Sequence, residues 1–353
     1  MSRYAWKDLN ALAGRLLEGA GLPRDRAEVF ARVLVEADLM GHTTHGLRQL
    51  PRYLEELAAG RMAAKGEPKV VHDTGSTFAW DGGYLPGPWL VHRALEHAYE
   101  RVRQHPVVFG AVSRSHHICS LSSYLLEPAS RGYMCFIATS DPATASVAPF
   151  GGRAPLYTPN PIAMAIPTGG DPMLVDMSTS TTANGVVALY RSRGRSLPGE
   201  WLLDAAGRPT DDPAAISTDP PGTVLPLGGF DLGYKGYALG LIVEALTSGL
   251  AGHGRADDVK RWGASFCVAL IDPAGFGGLD AFTRQTSWLA DRCHANPVRP
   301  DAARVWLPGE MELARRAEAM KQGVELDEAI VAALSSRAEA AATAMAVPLP
   351  EAE

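Results

Sequence analysis

Between residues 86 and 177 the hydrophobic pattern changes period several times, and this alternation restricts the possible folds more than any other feature of the chain. Residues 86–103 place apolar side chains at helical spacing, and 107–112 is the continuous run Val-Val-Phe-Gly-Ala-Val. Helical spacing returns over 119–131, followed by short apolar runs at 134–138, 162–166 and 173–175. Strands alternating with helices predict an α/β domain. The flanks are helical. Leu9, Leu12, Leu16 and Leu17 share one helix face, and 25–39 repeats the pattern through Val29, Leu34 and Val35. Gly21-Leu22-Pro23 supplies the stop and start between those two helices. A polar turn, Gly41-His42-Thr43-Thr44-His45-Gly46, precedes a further helix marked by Leu47, Leu50, Tyr53 and Leu54, with Pro51 near its start.

Later, a helix is expected over 234–250, a strand over 266–271, and helices over 279–293, 309–321 and 326–343, ahead of a frayed tail at 348–353. Residues 191–233, rich in Pro, Gly and Asp, read as a long ordered excursion, either a lid or a dimer arm. With 353 residues the chain exceeds one small core. The division expected is an α/β unit over 76–254 enclosed by a discontinuous, mainly helical unit of 1–75 plus 255–353.

A net charge of -6 and the absence of a long basic run argue against a nucleic-acid or membrane-surface partner. The N-terminus lacks the apolar core of a signal peptide, and no stretch has the length of a membrane span, so a cytoplasmic location is expected. The four cysteines, Cys119, Cys135, Cys267 and Cys293, form no CxxC pair and are expected as buried thiols.

Histidines concentrate in two places, His42 with His45 and His116 with His117. The second pair follows the strand at 107–112, and the carboxyl end of a strand in an α/β domain is where substrates sit. A histidine there can take a hydroxyl proton while hydride leaves the same carbon. Adjacent side chains do not share a face, so one of the two is the candidate and spacing leaves the choice open. His42 and His45 with His116 or His117 also offer zinc-ligand types, but HxxH is not the HExxH signature, and no metal is expected.

No G-x-G-x-x-G follows a strand, which excludes a Rossmann cofactor site. Pro149-Phe150-Gly151-Gly152 is a tight turn able to approach a ligand. Asp176-Met177-Ser178-Thr179-Ser180-Thr181-Thr182 offers hydroxyls and backbone N–H groups to phosphate or ribose oxygens, or is an ordinary hydroxyl-rich cap. Lys235 opens the helix at 234–250, against the helix dipole, where an anionic partner would compensate it.

Together these segments resemble the type-2 malate/L-lactate dehydrogenase family, which includes ureidoglycolate and sulfolactate dehydrogenases and cyclic ketimine reductases. The resemblance spans nearly the whole chain. It rests on Gly41 to Gly46 with Leu50-Pro51-Arg52-Tyr53, on Ser115-His116-His117, on Ser140-Asp141-Pro142 with Pro149 to Gly152, and on Thr158-Pro159-Asn160-Pro161. Asp176 to Ser180 and Pro226-Leu227-Gly228-Gly229 with Tyr234-Lys235-Gly236-Tyr237 complete it. It implies a homodimer, a nicotinamide-binding fold distinct from Rossmann with a mainly helical substrate and dimerisation domain, NAD or NADP as cofactor, and a small carboxylate substrate.

The resemblance further implies that His117 is the acid–base residue, counted back from Arg131-Gly132, with His116 the one-residue alternative. It places His45 beside the substrate with Thr44, and it assigns Ser140, Asp176, Met177, Ser178, Thr179, Ser180 and Lys235 to the cofactor, with Gly309 and Glu310 as further candidates. The chain departs from the family in three places. Gln49 stands where many members carry a carboxylate-gripping arginine, with Arg48 as its neighbouring substitute; Arg and Gln are not equivalent at such a site. Ile118 and Cys119 replace an aromatic residue and a glycine, and the glycine of G-T-N-P is absent, with Pro159 standing before Asn160. The expected activity is hydride transfer between nicotinamide and a small 2-hydroxy or 2-keto acid. The rivals are a cyclic ketimine reductase on the same scaffold, a zinc-dependent hydrolase built on His42, His45 and His117, and a cofactor-binding protein without turnover.

Overall fold

A computed structural model describes residues 2–346. Its centre is a seven-stranded sheet in the spatial order Lys69–Asp73, Thr77–Asp81, Val107–Ser115, Ala264–Ile271, Met134–Ser140, Ile162–Ile166 and Met173–Met177. One pair, Thr77–Asp81 with Val107–Ser115, is parallel, and the long helix Gly87–Arg101 makes its crossover. Every other neighbouring pair is antiparallel. The mixed α/β class expected from the alternating pattern is present, but the sheet is dominated by antiparallel pairing and has none of the repeated crossovers of a doubly wound fold.

Ala264–Ile271 is the middle strand, and all of its residues but the last are buried. Val108, Val112, Ile137, Val268 and Leu270 are each wholly enclosed. Burying each such side chain contributes roughly 1.5–3 kcal/mol relative to exposure, so this part of the sheet anchors the core.

Both chain ends build the helical layer. Trp6–Gly19 buries Leu9, Leu12, Leu16 and Leu17, and Arg24–Leu39 buries Phe30, Leu34 and Val35. Ser2–Tyr4 pairs antiparallel with Val324–Leu326, and the Arg15 side chain donates to the Thr343 hydroxyl. A boundary at 75/76 and 254/255 cuts through the sheet, because the edge strand begins at Lys69 and the middle strand is Ala264–Ile271. One apolar cluster also runs continuously from Tyr4 through Leu270 to Ala346.

The other differences are local. The hairpin Lys69–Asp73 and Thr77–Asp81 and the helix Asn184–Ser192 are additional to the expected elements. The helix expected over 119–131 starts late, after the left-handed Cys119, and is divided into a 3-10 turn, Leu121–Tyr124, and a short helix, Leu126–Ser130. The excursion at 191–233 is ordered: three two-residue strands fold onto a small core of Val147, Tyr157, Leu197, Leu202 and Val224. The tail at 348–353 lies outside the described residues. Among those described, no helix is long and apolar enough to cross a membrane.

Candidate active site

Four elements converge at the carboxyl end of Val107–Ser115. The strand delivers His116 and His117, and the helix Leu50–Ala58 delivers Tyr53 from its buried face. The 3-10 turn Thr43–His45 delivers His45, and Trp262 comes from the segment leading into the middle strand. Gly87 makes the approach possible. A Cβ there would lie 2.3 Å from the His117 carbonyl oxygen and 2.4 Å from that of His116, so only glycine lets the crossover helix begin beneath the histidine pair.

His117 is partly open, and its ring lies 5.9 Å from that of His45 at an interplanar angle of 16°. Its Nδ1 is 2.6 Å from the Tyr53 hydroxyl, which leaves Nε2 as the atom able to serve a substrate. Trp262 stacks on His117 at 5.3 Å and on Tyr53 at 5.8 Å. Burial is the largest influence on His117, and with His45, His116 and Arg52 it holds the imidazole well below its ordinary pKa. Burial likewise lowers His45, opposed by the charge of Asp176 and aided by His42.

His116 points the other way. It is 0% exposed, sits edge-on to Trp262, and has its Nε2 3.6 Å from a Glu56 carboxylate oxygen, too long for a hydrogen bond. Burial pushes it down to about 4. Of the two neighbours, His117 is therefore the partly accessible one, and His116 is fully enclosed. Among the described residues no three His, Cys, Asp or Glu side chains form a metal-holding cluster.

The turn carrying His45 rests on Asp38, whose Oδ2 accepts the Leu47 N–H at 2.7 Å. Thr44 Oγ1 lies 3.0 Å from His45 Nδ1 and packs against Gly185. Gln49 donates its amide to the Thr44 carbonyl at 2.8 Å, so it ties the turn together. Arg48 pairs with Asp327 at 3.6 Å, toward the helix Glu328–Ala340. That partner occupies the group expected to replace the missing arginine.

Arg52, three residues beyond Gln49 and so on the same side of the chain, has its guanidinium 3.5 Å above the Trp262 ring. It is exposed, and among the described residues it makes no ion pair. Residue types pointed to Arg48; the helical spacing of Arg52 from Gln49 was the signal that could have drawn attention to Arg52 as well. Tyr53 and Trp262 carry no such signal, because one reads as core and the other is distant in sequence.

The expected cofactor segment is only partly accessible. Asp176, Met177 and Ser178 face open space at the end of the edge strand Met173–Met177. Asp176 accepts the Ser122 N–H at 2.8 Å, which joins this strand to the loop after His117. Thr179 and Ser180 are buried, and their hydroxyls are bonded to the carbonyls of Pro159 and Thr182. Ser140 is buried too and donates to Glu244 at 2.7 Å, in a network with Asn160 and Arg255. Lys235 is exposed. Gly309 sits tight on the edge strand, where a Cβ would lie 2.8 Å from the Leu174 nitrogen. The Glu310 carboxylate is occupied by His294 at 2.7 Å and Arg304 at 3.0 Å.

A cavity of about 390 Å³ lies behind the His45 turn, among Asp38, Thr43, Arg193 and Arg315. Neither His45 nor His117 borders it, so convergence of side chains rather than cavity size marks the site.

Comparison with known proteins identifies the family. The family model for malate/L-lactate dehydrogenase matches residues 4–335. The chain is 34% identical over 315 residues to an L-lactate dehydrogenase of Cupriavidus necator, covering 87% of this chain and 89% of that protein. It is 37% identical over 255 residues to a (2R)-3-sulfolactate dehydrogenase (NADP(+)) of Chromohalobacter salexigens, covering 71% of this chain and 73% of that protein. The solved structure of delta1-piperideine-2-carboxylate reductase from Pseudomonas syringae superimposes with a TM-score of 0.82 at 28% identity, covering 96% of this chain and all of that one.

Proposed function

The chain belongs to the malate/L-lactate dehydrogenase family, and from that membership we propose a division of labour among the side chains of its site. The protein is an oxidoreductase that transfers a hydride between nicotinamide and a small 2-hydroxy or 2-keto acid. In our reading His117 is the acid–base residue. The observation that carries this is its Nδ1, held at 2.6 Å by the enclosed Tyr53 while the ring remains open beside His45.

With its pKa held low, His117 is neutral near pH 7 and can take the hydroxyl proton as hydride leaves. Protonated, it returns that proton to the carbonyl oxygen. His45 hydrogen-bonds the reacting oxygen, with Thr44 fixing its ring. The substrate carboxylate meets Arg52; Arg48 and His116 have no direct contact in this scheme, and Gln49 holds the turn.

The groups at the strand end fit a nicotinamide dinucleotide, NAD or NADP. They comprise an exposed lysine, Lys235, and the half-buried Asp176, Met177 and Ser178. When bound, that cofactor supplies the hydride acceptor or donor. Ser140, Thr179, Ser180 and Glu310 brace the cradle from behind through the bonds described above, and Gly309 does so by its close packing on Leu174.

We further propose a homodimer, supported by the exposed apolar side chains Phe230, Leu232, Leu241, Ile242 and Leu250 on and beside one helix, and a cytoplasmic location. Cyclic imine reduction is a second reading, favoured by the close superposition on the piperideine-carboxylate reductase. The same His117 proton would then go to the imine nitrogen.

A nicotinamide-absorbance assay over hydroxy acids, keto acids and cyclic imino acids, with both cofactors, tests the scheme. His117→Ala is expected to lower kcat by about 10²–10⁴-fold with cofactor affinity unchanged. A folded His117→Ala protein with near-normal turnover would remove His117 from the mechanism.

A further inference from the structure

Cys119 has a φ of +62°, in the left-handed region that residues other than glycine seldom adopt. It is 5% exposed, and its Sγ lies 3.3 Å from the Tyr53 hydroxyl, whose oxygen is in turn 2.6 Å from His117 Nδ1. A cysteine held in a strained conformation against the acid–base residue's partner calls for a functional account.

We propose that the Cys119 sulfur accepts the Tyr53 hydroxyl proton, so that Tyr53 can accept Nδ1–H from His117 and leave Nε2 bare toward the substrate. This rests on the reading of His117 as the acid–base residue, and it makes Cys119 and Tyr53 positioning residues. The alternative tautomer turns the Tyr53 hydroxyl onto Nδ1 and puts the ring proton on Nε2, where the imidazole cannot take a second proton from substrate. The Cys119 backbone N–H, 3.3 Å from Nδ1, favours that alternative.

The sulfur is what makes the productive tautomer possible. Tyr53 is 0% exposed, so once its oxygen accepts Nδ1–H its own proton has no water to turn to, and Sγ is the acceptor within reach. The imidazolium carries the same Nδ1–H, so one chain, Nδ1–H to Oη and Oη–H to Sγ, serves both the base and its conjugate acid. Burial keeps the thiol neutral by pushing it up to about 12. The charged and titratable groups facing His117 are His45, His116 with Glu56 behind it, Arg52 and Tyr53. They are common to every variant below and cancel in the comparison.

The test is the tautomer of His117, read by nitrogen-15 NMR on the intact protein with histidine labelled. Cys119→Ala keeps a Cβ at the left-handed position and removes only the sulfur; Cys119→Ser restores a donor–acceptor group. Wild type and Cys119→Ser should show Nδ1–H, and Cys119→Ala should move to Nε2–H. In parallel, kcat/KM for oxidation at neutral pH should fall roughly tenfold, the ratio corresponding to about 1.4 kcal/mol of tautomer preference.

An Nε2–H tautomer in wild type, or the same tautomer in wild type and Cys119→Ala, overturns the proposal. A merely structural cysteine would lower Tm in Cys119→Ala with the tautomer unmoved, which is the second of those results. A tautomer shift with an unchanged rate would instead overturn the acid–base reading of His117 on which the catalytic part rests.

Discussion

Asp38→Asn should stabilise the protein at pH 8 by more than it does at pH 5. Asp38 is 6% exposed; one carboxylate oxygen accepts the Leu47 N–H and the other has no partner. Burial raises its pKa from 3.8 to about 7, and the Leu47 bond opposes that only in part. In the unfolded chain the carboxyl ionises above its ordinary value, whereas in the folded protein it holds its proton to near neutrality. The folded state therefore gains from the neutral acid at low pH and loses that advantage progressively as pH rises from about 4 to about 7. A displacement of about three pH units, at about 1.4 kcal/mol each, amounts to about 4 kcal/mol. With an unfolding entropy of about 2.1 cal/mol/K per residue this is a Tm change of about 5 °C. Asparagine has the shape of the neutral acid and does not ionise. Thermal unfolding of both proteins from pH 5 to pH 8 should show wild-type Tm falling relative to Asp38→Asn by about 4 °C, the share of that change lying between pH 5 and pH 7. A Tm difference that stays constant across the range would refute the argument that an unpaired buried carboxyl lies beneath the His45 turn.

Arg48→Ala should leave KM for substrate within about twofold and cost at most about 1 kcal/mol of stability, because its partner is the half-exposed Asp327. Arg52→Gln should raise KM for the carboxylate substrate by about 10–100-fold, the loss of one charge-assisted hydrogen bond, and steady-state kinetics on the two variants decide between the arginines. Gly46→Ala places a Cβ 2.2 Å from the Asp38 carboxylate and should lower stability by about 1–3 kcal/mol, measured as a lower denaturant midpoint. Lys235→Gln should weaken cofactor binding by about tenfold or more in calorimetry without altering the His117 pH dependence.

Much of the fold is legible in local patterns because burial imposes them locally. Leu9, Leu12, Leu16 and Leu17 state a helix face without reference to anything distant, and so do the runs that became Met134–Ser140 and Ile162–Ile166. Strand order is not written this way. That Ala264–Ile271 enters between strands from 107 and 134 depends on pairing across long separations, which no window of sequence contains. The hairpin around Gly75 was harder to see because Val70 and Val71 lie exposed at a sheet edge, where hydrophobic periodicity has no buried face to report. At the site, residue type and family likeness led to His45 and His117. They also led to Arg48, which the structure pairs with Asp327, because an arginine's neighbour in sequence is not its neighbour around a helical turn. Similarly, Thr179 and Ser180 carry hydroxyls suited to a ligand, yet turn them onto their own backbone.

The placement of the middle strand also bears on how the chain is made. A ribosome emits residues 107–140 long before 264–271, so two strands whose inner faces include Val108, Val112, Cys135 and Ile137 wait with unpaired edges for a late arrival. Closing such a long loop is slow, and open edges invite pairing with other chains. A nascent chain ending near residue 260 is thus a client for chaperones rather than a half-finished enzyme. Substitutions that slow the docking of Ala264–Ile271 will show first as poor yield, before any defect appears in the folded protein.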